Sequence, residues 1–409
     1  MFPIGEEASR RAAGAFSPEG RRRVEAGWKA FTALPMPAEV EENWRYVDPG
    51  IDMAEYSFRD APGSPASRAS HPVEVRLGAR VVDGFTVEAS GGDGVEVVPL
   101  REAAGHGQPP STADKLEAFN EAFCHDGVLV TAHPGASPAD SVVIDVEATT
   151  GGTASAPRVR IVAGRSSHVG VVLVQRSPDG LPILVVPRVE VEAGDGATVT
   201  LTVVQQWGSD TRAVARHAYR LGRDATVRLA EAGLGGRYSR LHLTADLEGD
   251  GSAAEVVGAY FGDGEQTLDY RYFMRHAARG TTSDMFLKGA VAGDSRSVFT
   301  GLIRIEIEGQ KTSAHQTNRN LVLSDGAEAH SVPNLEILAD DVRCGHGSAV
   351  GPLDDDQRYY LMSRGLERPR ADRLQVKGFF EEALLRFPDL RFEPMLREAA
   401  MTKYEGVVG

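Results

Sequence analysis

Gly194-Asp195-Gly196-Ala197, Gly222-Arg223-Asp224-Ala225 and Gly249-Asp250-Gly251-Ser252 are three versions of one turn, and their spacing decides the fold. They begin at residues 194, 222 and 249, so the turn recurs after 28 and then 27 residues. Runs of strand-forming residues follow, such as Thr198 to Val204 and Thr226 to Leu229. A repeat of that length suits one coil of a solenoid better than one hairpin of a sandwich. A β-helix is therefore the leading fold. Related turns at Gly293-Asp294-Ser295 and Asp325-Gly326-Ala327 come at longer intervals with little shared sequence. An open sandwich or jelly roll remains the alternative on pattern alone.

Outward from these turns, the texture of short β-branched runs and glycine turns extends from Val128 to about Val350. Residues 1–125 read as a mostly helical domain with an irregular middle, broken by Pro35, Pro37 and the loop-like stretch that starts at Ala61. Ser111 and Asp114 resemble a capping box ahead of Leu116, Phe119 and Phe123, and Asp126-Gly127 should end that helix. After Gly351 the helical signal returns. Asp354 with Gln357 makes another capping box, and Gly365 is placed as the C-terminal stop. Two further helices follow from the spacing of Phe380, Ala383, Leu384 and Phe387, and of Leu396, Ala399, Ala400 and Tyr404. The expected organisation is an N-terminal domain over 1–125, a β core over 126–350 and a C-terminal helical domain over 351–409.

Composition narrows the function. The chain has 409 residues, 42% hydrophobic and 25% charged, which is the balance of a globular protein with a sizeable core. A formal net charge of −14 argues against a surface that tracks phosphates, so no nucleic-acid partner is expected. The opening MFPIGEEASRRAAGAF lacks the apolar stretch of a secretory signal, and no run of about 18 apolar residues occurs. The expectation is a cytoplasmic protein with no membrane partner. Two cysteines, Cys124 and Cys344, can neither build a disulfide framework nor supply four thiolates to an iron–sulfur cluster.

Cys344-Gly345-His346-Gly347 is the segment richest in chemistry. Side chains two apart on a strand share a face, so Cys344 and His346 could bind one metal together, supplying two of about four donors. Gly345 and Gly347 mark a strand that another backbone or a ligand approaches closely. The alternative is a buried cysteine beside a surface histidine. His315 and His330 lie upstream in the same region and could face His346 from a neighbouring coil, although strand histidines are more often satisfied polar residues. Cys124 beside His125 reads as structural. No phosphate-cradling loop, G-x-S-x-G elbow or H-E-x-x-H helix is present, and Asp340-Asp341 reads as a solvated turn. Tyr359, Tyr360, Leu361, Met362 and Arg364 form a short helix that could dock a partner or cap the last coil.

Three segments carry a resemblance to a known family: Asn318 to Ala327, Ser331 to Ile337, and Ala339-Asp340-Asp341-Val342-Arg343-Cys344-Gly345-His346-Gly347. With the continuation Gly351 to Gly365 they resemble the SufB/SufD family of iron–sulfur cluster assembly proteins. Trp44-Arg45-Tyr46 and Ala122 to Gly127 extend the likeness nearly end to end. The SufB branch would carry a cysteine near Arg319 and a His-Glu pair where this chain has His346-Gly347, so the departures favour the SufD branch.

That resemblance implies a mainly β protein, a right-handed parallel β-helix flanked by N-terminal and C-terminal α-helical domains. It implies a non-catalytic scaffold of a SufBCD complex, pairing with a SufB-like paralogue through the C-terminal end of the β-helix. Val332, Leu335, Ile337, Gly345 and Gly347 would lie at that interface, or at a homodimer interface in a self-associating scaffold. His346, with Cys344 as its neighbour, would contribute to a transient Fe–S cluster at the shared surface. Tyr359, Tyr360, Leu361, Ser363, Arg364 and Gly365 would contact SufC, the ABC-type ATPase that holds the ATP. No cofactor is expected to bind this chain tightly, and a flavin elsewhere in the complex fits the same picture. A β-helix enzyme acting on polysaccharide is the rival of a different class, although no coil repeats the acidic cluster it would need.

Overall fold

The computed structural model describes residues 1–38, 41–64, 75–103, 114–389, 391 and 393–408. Its centre is a parallel β-solenoid of about eight turns, in which the coils from Thr198 onward each give one strand to each of two facing sheets, while in the coils before them Thr153–Ser155 with Arg158–Ala163, and Ile183–Val185 with Arg188–Ala193, join the same sheet. Thr198 pairs with Thr226 and Thr226 with Ala253, offsets of 28 and 27 residues that match the spacing of the turns. Parallel pairing of consecutive coils excludes the sandwich and the jelly roll, which are built from antiparallel strands.

The turns form a ladder of their own. Gly196, Asp224 and Gly251 have φ of +68°, +52° and +73°, a left-handed conformation open to glycine and tolerated by aspartate. In that conformation Gly196 N–H donates to Arg223 O at 2.7 Å, Asp224 N–H to Asp250 O at 2.9 Å, and Gly251 N–H to Arg279 O at 3.0 Å. Each coil thus fixes the corner of the next. Between the corners, alternate residues such as Val199, Leu201 and Val203 point into the lumen and pack there as an apolar core, as strand geometry requires.

Among the described residues, three α-helices precede the solenoid: α1 (Glu6–Gly14), α2 (Pro18–Ala33) and α3 (Lys115–Phe123). Residues 1–125 are less helical than the sequence suggests, because Leu77–Val82, Phe85–Ser90 and Val95–Pro99 are strands that extend the two sheets. Val81, Val95 and Val97 lie in the lumen with Val128 and Val142, and that burial outweighs weak local signals. Ser111 of the expected capping box lies outside the described residues. Asp114 itself caps α3, accepting from the N–H groups of Leu116 and Glu117 at 2.9 and 2.8 Å.

An arginine ladder docks α3. Arg158, Arg188, Arg216, His242 and Arg271 are successive register partners on the outer face of one sheet. The helix presents Glu117, Asn120 and Glu121 to this column. Glu121 meets Arg158 at 2.9 Å, Arg188 at 3.2 Å and Arg23 of α2 at 2.6 Å, while Glu117 meets Arg216 at 2.9 Å. Although Glu121 is fully buried, its arginine neighbours hold its pKa well below the usual carboxylate range. Removing one partner from such a cluster costs about 3 to 5 kcal/mol, since a buried charge is left uncompensated. Beyond α3, Asn43 O and Arg45 O accept from Arg240 and Arg271 at 2.6 and 2.7 Å, and the Arg240 guanidinium lies 3.9 Å from the Trp44 ring centre. The Trp44-Arg45-Tyr46 segment therefore climbs the outer face of the sheet toward its C-terminal edge.

Among the described residues, three α-helices follow the solenoid: α4 (Asp355–Ser363), α5 (Arg368–Leu384) and α6 (Glu393–Val408). Val376, Phe380, Leu384, Leu396 and Tyr404 cover the outer face of the other sheet at Val257, Phe261 and Phe286. Lys403 pins α6 to the solenoid by donating to Leu234 O, Phe261 O and Gln266 Oε1, each at 2.8 Å, beside Asp263 at 3.0 Å. Gly365 ends α4 with φ of +89°, as expected. Asp354 Oδ1 accepts from Gln357 N–H at 2.9 Å, but the Asp354 N–H donates to Gln375 of α5, so the cap joins two helices rather than closing on one. Among the described residues, no helix is long and apolar enough to cross a membrane.

Candidate functional site

The last coil is open. Glu328–Ile337 ends one sheet and Arg343–Gly351 ends the other, and among the described residues neither pairs with a further strand. Glu328 N–H and Leu338 N–H reach back to Ser295 O and Ile305 O, so the odd-numbered N–H groups between them face outward along the edge. Pro333 sits at one of those outward positions, where its missing N–H costs no bond to the coil below. On the other edge Arg343 N–H donates to Thr312 O, which leaves the N–H and C=O groups of Cys344, His346, Ser348 and Val350 on the open side. Two long strands with unpaired backbone are a ready template for another chain.

Register sets what this end presents. Cys344 pairs with Ala314, His346 with Gln316, Ser348 with Asn318 and Val350 with Asn320. Ala314, Gln316, Asn318 and Asn320 are buried in the lumen, so the four residues above them point the same way. Across the lumen, Ser331, Pro333, Leu335 and Ile337 stand above Phe299, Gly301, Ile303 and Ile305. Cys344 and Leu335 pack partly against the core, while His346 is exposed. Ile337, Leu338 and Val350 are 42%, 51% and 46% exposed, an apolar rim around the opening.

Cys344 and His346 therefore share a face, as their spacing requires. Burial raises the Cys344 thiol pKa, and a backbone hydrogen bond at Ala314 works against that rise. The thiol must shed a proton to become a metal ligand. Among the described residues no three His, Cys, Asp or Glu side chains come together as a metal site. On this face the chain carries one imidazole and one thiol.

Neither upstream histidine faces His346. His315 pairs with Gly345 and points to the outer face, its Cδ2 lying 3.5 Å from where a Gly345 β-carbon would sit. His330 also points outward, stacked on Tyr46 with ring centres 5.3 Å apart and planes 4° apart. The reason is parity, since both lie an odd number of positions from the inward-facing set. Val332 shares that outward parity, whereas Leu335 and Ile337 point inward.

The glycines flanking His346 are not demanded by their own chain. A β-carbon on Gly345 or Gly347 would meet only ordinary contacts, at 3.5 Å from His315 and 3.9 Å from Thr317. Gln316 is the lumen residue that sequence reading missed. It lies directly beneath His346, and the 30-residue coil offset applied to His346 would have found it.

Cys124 is structural. Its thiol is fully buried, donates to Asp126 O at 3.1 Å and is pushed up to about 11 by burial. His125 is sandwiched between Phe58 and Phe85, and burial lowers it to about 4. On α4, Tyr359 and Tyr360 are 76% and 56% exposed, and Met362, Ser363 and Arg364 are exposed beside half-buried Leu361.

A family model described as SUF system FeS cluster assembly, SufBD core domain, matches residues 146–379. An iron–sulfur cluster assembly SufBD family protein of Mycobacterium bovis is 33% identical over 326 residues, covering 76% of this chain and 81% of that protein. SufD of Bacillus subtilis is 33% identical over 200 residues, 49% of this chain and 46% of its own. SufD of Escherichia coli is 34% identical over 162 residues, 40% and 38% of the two chains.

Proposed function

The chain belongs to the SufBD family of iron–sulfur cluster assembly proteins, and on that premise we propose that it is a SufD-type scaffold whose open coil is closed by a SufB-like partner. One observation carries this reading: His346 and Cys344 sit on one face at an unpaired, apolar-rimmed solenoid edge. An edge of this length and polarity needs a partner strand, and a half-site needs donors from outside. A second SufBD solenoid supplies both at once. The nascent cluster is then cargo, held between the two chains and passed on, and this chain contributes ligands without performing catalysis.

The C-terminal helices form the second contact. Exposed Tyr359, Tyr360 and Met362, with Leu361, Ser363, Arg364 and Gly365 at the helix end, offer an aromatic and apolar patch to the SufC ATPase. Helix α6 is tied to the solenoid through Lys403, and α4 to α5 through Asp354 and Gln375, so a pull on these helices reaches the sheets. Nucleotide-driven movement of paired SufC subunits would strain the two solenoids and open their shared edge.

The same edge could pair with a second copy of this chain, and one experiment separates the readings. The chain is co-expressed with SufB-like and SufC-like proteins and the purified particle is weighed by native mass spectrometry. A one-to-one pair of the two solenoids with SufC attached supports the proposal. A particle holding two copies of this chain and no SufB-like subunit overturns it.

A further inference from the structure

The lumen is not apolar throughout. Glu231 lies on the same inward face as Val227 and Leu229 and is 5% exposed, and its Oε2 has no hydrogen-bond partner. Tyr219 faces it from the Arg212–Leu221 strand and Tyr270 and Tyr272 from Thr267–His276, while His217 and Tyr260 are buried on the inward positions of their own strands. None of these carries a positive charge at neutral pH. His217 is neutral, with its Nδ1 2.9 Å from Tyr219 Oη, and burial lowers it to about 3. Among the described residues the buried carboxyl has no counter-charge, and burial pushes it up to about 8.

Polar groups continue from there toward the open end. Tyr272 Oη is buried without a partner. Tyr260 Oη donates to Asn320 Oδ1 at 2.6 Å and accepts from Asn318 Nδ2 at 3.0 Å, and Asn320 Nδ2 donates to Asn318 Oδ1 at 2.7 Å. Two residues before Asn318 on the same strand, Gln316 gives its Nε2 to Asn334 O at 3.0 Å and leaves Oε1 buried without a partner. Above Asn318 and Gln316 stand Ser348 and His346 of the open coil. Tyr272 Oη and Gln316 Oε1 are buried oxygens without protein partners in the same lumen as Glu231, and such oxygens are the usual ligands of internal water, because an unmet polar group there is costly.

We propose that the lumen from Glu231 to Asn318 is a hydrated proton-binding site in exchange with the open end, Glu231 holding the proton and water at Tyr272 and Gln316 carrying it. No bond other than O–H is made or broken. A proton that leaves Glu231 is replaced from solvent at the open coil through the same groups. The inference does not depend on a cluster forming there.

The test is infrared difference spectroscopy on the full chain. At pH 7 the wild type should show a protonated carboxylic-acid stretch that Glu231→Gln removes, and that band should fade as pH rises through about 8. No difference between wild type and Glu231→Gln at that band would overturn the site. In heavy water the band should shift as the proton exchanges, and the shift should slow severalfold in Tyr272→Phe and in Asn318→Leu. Each variant is first checked for a cooperative melt. Folded variants that exchange at the wild-type rate would overturn the route through the open end.

Discussion

Gln316 and His346 are register partners on the last two strands of one sheet, both facing the lumen, and only Gln316 is buried. The difference between them is the coil that lies over one and not the other. A partner solenoid would bury His346 as this chain buries Gln316, with the imidazole delivered to the contact.

His346→Ala should leave the complex assembled and lower its cluster yield by about tenfold or more, since loss of even a supporting group at a metal site costs that much. Iron and sulfide content of the co-purified complex measures this. Wild-type cluster content in the variant would remove His346 from the ligand set.

Gly347→Val should change the stability of the isolated chain by no more than about 0.5 kcal/mol, since the position is exposed and its own chain leaves room for the side chain. Pairing with the SufB-like subunit should weaken sharply, as the added side chain stands on the edge strand. Urea melts and a pull-down give the two readouts.

Tyr359→Glu combined with Tyr360→Glu should abolish co-purification of the SufC-like ATPase while the melting temperature stays unchanged. Both rings are exposed, so neither supports the fold.

Lys403→Ala should destabilise the chain by about 2 to 4 kcal/mol, because it strips the donor from two backbone carbonyls and leaves Asp263 without its cation. Loss of protection on α6 before the solenoid, read by hydrogen exchange, would place the effect at this clamp.

Stability should bend with pH in two directions. Buried His125, His242 and His276 are each lowered to about 4, so the unfolded chain binds more protons and stability falls as pH drops from about 6.5 towards 4. His276→Gln should remove up to about 3 kcal/mol of that loss. Glu231 acts oppositely. Its folded pKa of about 8 lies above the unfolded value, so its contribution is complete below pH 4.5 and is lost as pH rises to about 8. Glu231→Gln should therefore gain stability at pH 8. Chemical denaturation across pH measures both slopes.

The solenoid was legible because its corners repeat in the chain itself. Gly196, Asp224 and Gly251 stand at the left-handed positions, and the 28- and 27-residue offsets between their turns are also the strand offsets. The pairing of Cys344 with His346 on one face was legible for a similar reason, since strand alternation is local. The strands at Leu77–Pro99 were not, because their burial comes from Val128 and Val142 far along the chain. Nor was the outward turn of His315 and His330, which depends on which parity each sheet buries.

Local spacing by itself thus determined the coil length, the helix ends at Asp354 and Gly365, and the shared face of Cys344 and His346. Tertiary structure alone decided that this pair crowns an open lumen, that Gln316 lies beneath it, and that Glu231 is enclosed without a counter-charge. The physical reason is stacking: what a side chain meets in a solenoid is set by residues one coil away, at an offset that varies from turn to turn. No window along the chain contains that environment.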